Sequence, residues 1–157
     1  MAIMHHLLLV VVLLIASTLH AASSVTTNSA VDATSATAYD ILEQNNLPRG
    51  LLPLGVKSYV LRQGAIEVTL PGLCDFNVTL AGQQYIIRYD PTVGGLIRPG
   101  SLTQVYGARI QLAFDFLAFD QVDRVGDQIS LHGGDNKFFK NKSFPVSNFA
   151  QSHKCNK

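Results

Sequence analysis

From Val56 onward the chain alternates apolar and polar residues with a period of two, and turn-forming pairs break that alternation at intervals. This pattern constrains the fold more than any other feature. Successive side chains of a strand point to opposite faces, so strict alternation buries one face and wets the other. The readable strands are Ser58 to Leu61, Ala65 to Leu70, Cys74 to Leu80 and Gln83 to Tyr89, followed by Gly95 to Ile97, Leu102 to Tyr106, Arg109 to Phe119 and Gln128 to His132. Gln63-Gly64, Pro71-Gly72 and Ala81-Gly82 separate the first four. Turn signals spaced by about 8 to 12 residues mark an antiparallel arrangement rather than alternating helix and strand units. The expected fold is mainly β, an antiparallel β-barrel or sandwich with one short N-terminal helix.

The helix is expected at Ser35 to Gln44, where Ala38, Ile41 and Leu42 recur at helical spacing, Thr37 and Asp40 resemble a capping box, and Asn45-Asn46 ends the run. The connector "NNLPRGLLPLGV" follows. Pro48 and Pro53 forbid a helix interior, and Gly50 and Gly55 permit reversals at positive φ. Leu47, Leu51, Leu52 and Leu54 are expected to plug one end of the β shell. In the long run from Arg109, Ile110, Leu112, Phe114 and Phe116 share one face, while Ala113, Leu117 and Phe119 make the other face greasy as well. Either a bulge switches the faces near Phe116 or both faces are covered. Phe114 and Phe116 are therefore expected inside, as packed core or as the lining of a ligand pocket.

The apolar run Leu7 to Ala16, followed by small residues at Ala21 to Ser24, has the form of a secretory signal peptide over residues 1–22, too short for a membrane span. Residues 23–34 are Ser-, Thr- and Ala-rich and are expected to form a disordered tail. Residues 35–157 then make one β-rich domain, with no transmembrane segment after signal removal and a monomer expected. The near-neutral balance of 12 basic and 11 acidic residues argues against a nucleic-acid partner. Asp115, Asp120, Asp123 and Asp127 cluster in one stretch but lack the spacing of a calcium loop; no metal site and no cofactor are read.

The chain has two cysteines, Cys74 and Cys155. In an exported protein an isolated pair is most simply one disulfide, with free thiols or intermolecular links as alternatives. Closure of so long a loop stabilises by roughly 4 kcal/mol in the chain-entropy account. It would tie the terminal "SFPVSNF" segment to the strand at Cys74, so that Phe144 and Phe149 cover one opening of the shell and the connector the other. Export also makes Asn77 and Asn141, each in an Asn-x-Ser/Thr triplet, usable glycan acceptors. Asn77 alternates away from Cys74, Phe76 and Val78 and should face water.

Hydrolytic chemistry has little to start from. There is no Gly-x-Ser-x-Gly elbow, and His132 and His153 alone follow the leader. His132 reads as an exposed strand end, and His153 lies beside Cys155. No catalytic residue is assigned.

The segments "YDILEQNNLPRGLLPLGVKSYVL", "GAIEVTL", "LCDF", "YDPTVGGLIRPGSL" and "SFPVSNFAQSHKC", in this order, resemble the plant domain-of-unknown-function family 538 from about Tyr39 to Cys155. The resemblance implies a compact barrel or sandwich with a leading helix. It also implies a remote likeness to a lipid-binding domain of the bactericidal permeability-increasing proteins, and for some members chlorophyll binding or hydrolysis. The function expected from residues and resemblance together is a secreted, extracellular or cell-wall β domain binding an apolar or lipid-like small molecule. A weak carboxylesterase on chlorophyll-like esters and an extracellular protein-interaction module are the alternatives.

Overall fold

The computed structural model describes residues 36–140 and 142–156. The expected signal peptide and tail, and Asn141, lie outside the described residues. Helix α1, Ala38–Gln44, opens the domain. Thr37 caps it: its hydroxyl accepts from the Asp40 N–H, and the Asp40 carboxylate accepts from the Thr37 N–H at 2.7 Å, which is the reciprocal box read from the sequence. Asn45 ends the helix and Asn46 turns the chain at φ 57°. A single 3-10 turn, Arg49–Leu51, carries the connector onward.

Nine strands follow: β1 Ser58–Arg62, β2 Ala65–Thr69, β3 Cys74–Leu80, β4 Gln83–Arg98, β5 Ser101–Leu112, β6 Asp115–Ala118, β7 Gln121–Val125, β8 Gln128–His132 and β9 Ser143–Pro145. All the pairings are antiparallel and join one sheet of order β1-β2-β4-β5-β7-β8-β9, with β3 also on β4 and β6 also on β5. The path does not close on itself, so of the two architectures expected the barrel is not realised.

Two long strands organise the sheet. One edge of β4 pairs first with β3 and then with β2, while one edge of β5 pairs with β7 and then β6. The alternation predicts two strands here, Gln83 to Tyr89 and Gly95 to Ile97, on either side of a segment that holds Pro91 and Gly94. These two residues instead mark a register shift within one continuous strand, between the pairs Tyr89/Ala108 and Gly94/Tyr106. Inward phase survives the shift: Tyr85, Ile87, Tyr89, Val93 and Ile97 are all buried. At the same place Gly107 adopts φ 74°, and a β-carbon there would overlap the Thr92 carbonyl oxygen, so the site is closed to any side chain.

The run from Arg109 is corrected in an instructive way. Neither bulge nor double burial occurs; the chain reverses at Ala113 and Phe114 and returns as β6. Ala113 takes φ 53°, without the glycine or asparagine that normally announces such a turn. Leu117 then pairs with Ile110, and Phe116 with Gln111. Cross-strand partners share a face, so the reversal puts Leu117 on the inner side and Phe116 on the outer. Strand β7 was missed among the aspartates, yet Val122 on it is buried.

One apolar core fills the concave side of the sheet, with Phe76, Val78, Ile110, Ile129 and Leu131 almost wholly enclosed. The alternation of β3 holds throughout: Cys74, Phe76, Val78 and Leu80 are buried and Asn77 is exposed.

Candidate binding cavity

Between the bent sheet and the chain that precedes it lies an apolar cavity of about 50 Å³. Its floor comes from β2, β4, β5 and β7, including Ile66, Tyr89, Ala108 and Val122. Leu42 of α1 and Leu51 and Leu52 of the connector form its roof. Leu102 and Val105, half-buried on β5, line its mouth. No charged side chain lines it. Its one side-chain hydroxyl, Tyr89, is turned to the roof and donates to the Leu51 carbonyl. Burial pushes this phenol well above the usual tyrosine range, so Tyr89 is a neutral donor at any ordinary pH. Phe119, which the sequence reading left on an undecided face, contributes an aromatic side chain to the wall.

The roof explains why the connector combines leucines with prolines and glycines. Leu47, Leu51 and Leu52 face inward, while prolines and glycines keep the backbone in short turns that follow the rim. Leu54 departs from expectation: it is exposed at 44 %, because Gly55 at φ 92° swings the chain outward to β1. Gly50 has no positive φ; it is glycine because a β-carbon there would overlap the carbonyl oxygens of Phe149 and Gln151. At its other end α1 is docked on the sheet, where the Gly100 N–H of the β4–β5 turn donates to the Asn45 carbonyl at 2.7 Å.

Outside the roof lies the C-terminal segment. Cys74 and Cys155 form a disulfide with α-carbons 5.0 Å apart, inside the range expected of such a bond. The segment touches the roof directly. Ser152 Oγ donates to the Arg49 carbonyl at 3.0 Å, and the Leu54 N–H donates to the His153 carbonyl at 2.7 Å. Phe149 and the connector were expected at opposite openings; instead they meet, with Phe149 against Gly50.

The expected placement of the ligand-side phenylalanines is overturned. Phe114 sits at the tip of the β5–β6 hairpin, 97 % exposed, because the reversal places it in the turn. Phe116 lies on the outer face beneath Arg88, whose guanidinium carbon is 3.9 Å from the ring centroid. Neither borders the cavity.

The two histidines are committed elsewhere. His132 Nε2 lies 3.1 Å from Asp123 Oδ2, and Asp123 also accepts from Ser101 Oγ at 2.7 Å and Gln121 Nε2 at 2.6 Å. In this cluster the carboxylate holds the centre, whereas serine hydrolysis requires the imidazole between hydroxyl and acid. His153 stacks on Phe76, with centroids 5.4 Å apart and rings 9° from parallel. Among the described residues no three His, Cys, Asp or Glu side chains gather as a metal site requires, and no helix is long and apolar enough to cross a membrane.

A single bent antiparallel sheet, roofed by a short helix and a leucine-rich connector over an apolar cavity, defines the class: a small, mainly β domain with a partly open hydrophobic cavity. The family model described as "Protein of unknown function, DUF538" matches residues 38–150, from the first residue of α1 through the last strand, and the chain belongs to that family. No curated protein and no solved structure matches it.

Proposed function

We propose that this protein is a secreted, monomeric and glycosylated β domain that binds an apolar, lipid-like small molecule beneath the connector. The observation that carries the reading is the cavity, whose walls are hydrocarbon and whose one hydroxyl is already bonded. Such a site discriminates by shape and offers nothing to a charged or strongly polar ligand. At about 50 Å³ it is well below the roughly 300 to 1,000 Å³ of ordinary small-molecule sites. A ligand of acyl-chain size therefore enters by lifting the roof, and the roof is suited to that: it is joined to the sheet by leucine packing and few hydrogen bonds. A glycan at Asn77 would stand away from this site, since Asn77 faces out from β3.

Titration of the secreted protein with a fluorescent fatty acid, together with native mass spectrometry for co-purifying lipid, tests the proposal. A one-to-one complex is expected, and Val105→Phe, which fills the mouth, should weaken it at least about tenfold. Absence of any complex at saturating probe, or affinity unchanged by Val105→Phe, would overturn it.

A further inference from the structure

We infer that the Cys74–Cys155 disulfide is a redox latch on the cavity roof. The inference rests on reading the cavity as the ligand site, and the chain of contacts that leads to it is continuous. Cys74 is fixed in β3, deep in the core at 1 % exposure. The bond fastens Cys155 to it, and around this point the Asn156 N–H donates to the Asp75 carbonyl at 2.6 Å while His153 stacks on Phe76. The strap so anchored reaches back over the connector through Ser152 to Arg49 and through His153 to Leu54, the two hydrogen bonds that hold the roof from outside. From inside, the roof is held by Tyr89 on Leu51 and by the burial of its leucines. Phe149 is 1 % exposed and keeps the base of the strap in the core whatever happens beyond it. Loss of the disulfide thus frees only the outermost stretch, and with it the outer pair of roof bonds, leaving the sheet and its core in place.

The chemistry is thiol–disulfide exchange with a dithiol reductant, either a small dithiol or a dithiol oxidoreductase. Cys155 is the half-buried, accessible partner. A thiolate of the reductant attacks its Sγ, the Cys74–Cys155 bond breaks, and Cys74 leaves as thiolate and takes a proton. The second thiol of the reductant then attacks the mixed disulfide, releasing Cys155 as a thiol. Two electrons pass to the protein and the reductant ends as a disulfide. Reoxidation reverses each step and closes the latch.

Hydrogen exchange read by mass spectrometry on the oxidised protein, on the protein reduced with dithiothreitol, and on Cys155→Ser tests the latch without any ligand. At short exchange times, where local opening governs, the amides of Leu52, Leu54 and Gly55 should exchange about tenfold faster in both open forms while those of β4 and β5 stay protected. Ser152→Ala, with the disulfide intact, should give a smaller increase at the same amides. Association of the fluorescent fatty acid should accelerate in step. Equal roof exchange in oxidised and reduced protein would overturn the latch, as would early loss of protection across the sheet together with the roof, which would make the bond a plain structural staple. If Cys155→Ser fails to fold, reduction of the folded protein supplies the same comparison. A roof that loosens while neither form takes up fatty acid would support the latch and remove the ligand reading instead.

Discussion

Gly50 shows how much a single missing side chain can govern. A β-carbon there would overlap the backbone carbonyls of Phe149 and Gln151, neither of which is a flexible group that could move aside. Gly50→Ala should therefore destabilise by about 1 to 3 kcal/mol, seen as a lower denaturant midpoint, and should expose residues 150–156 to protease. Charge matters at two other residues. Tyr106 lies across Gly94 and donates to Glu67 at 2.7 Å. Desolvation first, and then the Glu67 carboxylate, push its phenol up to about 12. The folded state thus prefers the protonated phenol: the resulting stabilisation is complete below the unfolded tyrosine range near 10 and is lost as pH rises towards 12. Melting temperatures measured across that interval should fall less steeply for Tyr106→Phe than for the parent. Asp75 is the mirror case, held below the usual carboxylate range chiefly by its two hydrogen bonds from Arg88. Its contribution is present above about pH 4 and disappears as acid protonates it. Asp75→Asn should cost about 1 kcal/mol at neutral pH and flatten the acid limb of the stability profile.

Among the elements, the turns divide into those the chain announces and those it conceals. Gln63-Gly64 and Ala81-Gly82 both place two consecutive residues at positive φ, and in each case the glycine made the hairpin legible. Ala81 nonetheless occupies φ 50°, which an L-residue with a β-carbon resists. Ala81→Gly should raise stability by about 0.5 to 1 kcal/mol in chemical denaturation. The reversal at Ala113-Phe114 carries no such mark, so it was invisible, and the strand read through it inverted the inside and outside of Phe114 and Phe116. Phe114→Ser should consequently change stability by less than about 0.5 kcal/mol and leave apolar-ligand binding untouched. Helix α1, its capping box and the inner face of β3 were all readable, because each depends on neighbours in sequence. The merger of two strand segments into β4 and the cavity itself were not: both arise from pairings between residues far apart in the chain. Phe119, Val122 and Leu51 meet around one space only because the sheet bends, and a bend leaves no composition behind it.

At the scale of the molecule, the beginning and the end of the described fold lie on one another, and the disulfide ties both to the middle. Removal of that tie by Cys155→Ser should lower the melting temperature, with a loss of up to about 4 kcal/mol in the chain-entropy account. The far-ultraviolet circular dichroism of the sheet should be retained. The separation of the two cysteines, 81 residues, also sets a clock. At synthesis rates of about 5 to 20 residues per second, Cys74 is made roughly 4 to 16 s before its partner, and the two thiols emerge from the ribosome by the same interval apart. Throughout that interval the nascent chain has no second thiol of its own, so any oxidant it meets can join it only to another molecule. The strand that carries Cys74 must therefore hide the thiol against β4 before Cys155 arrives, which makes early pairing of that hairpin a safeguard of correct biogenesis as well as a step in folding.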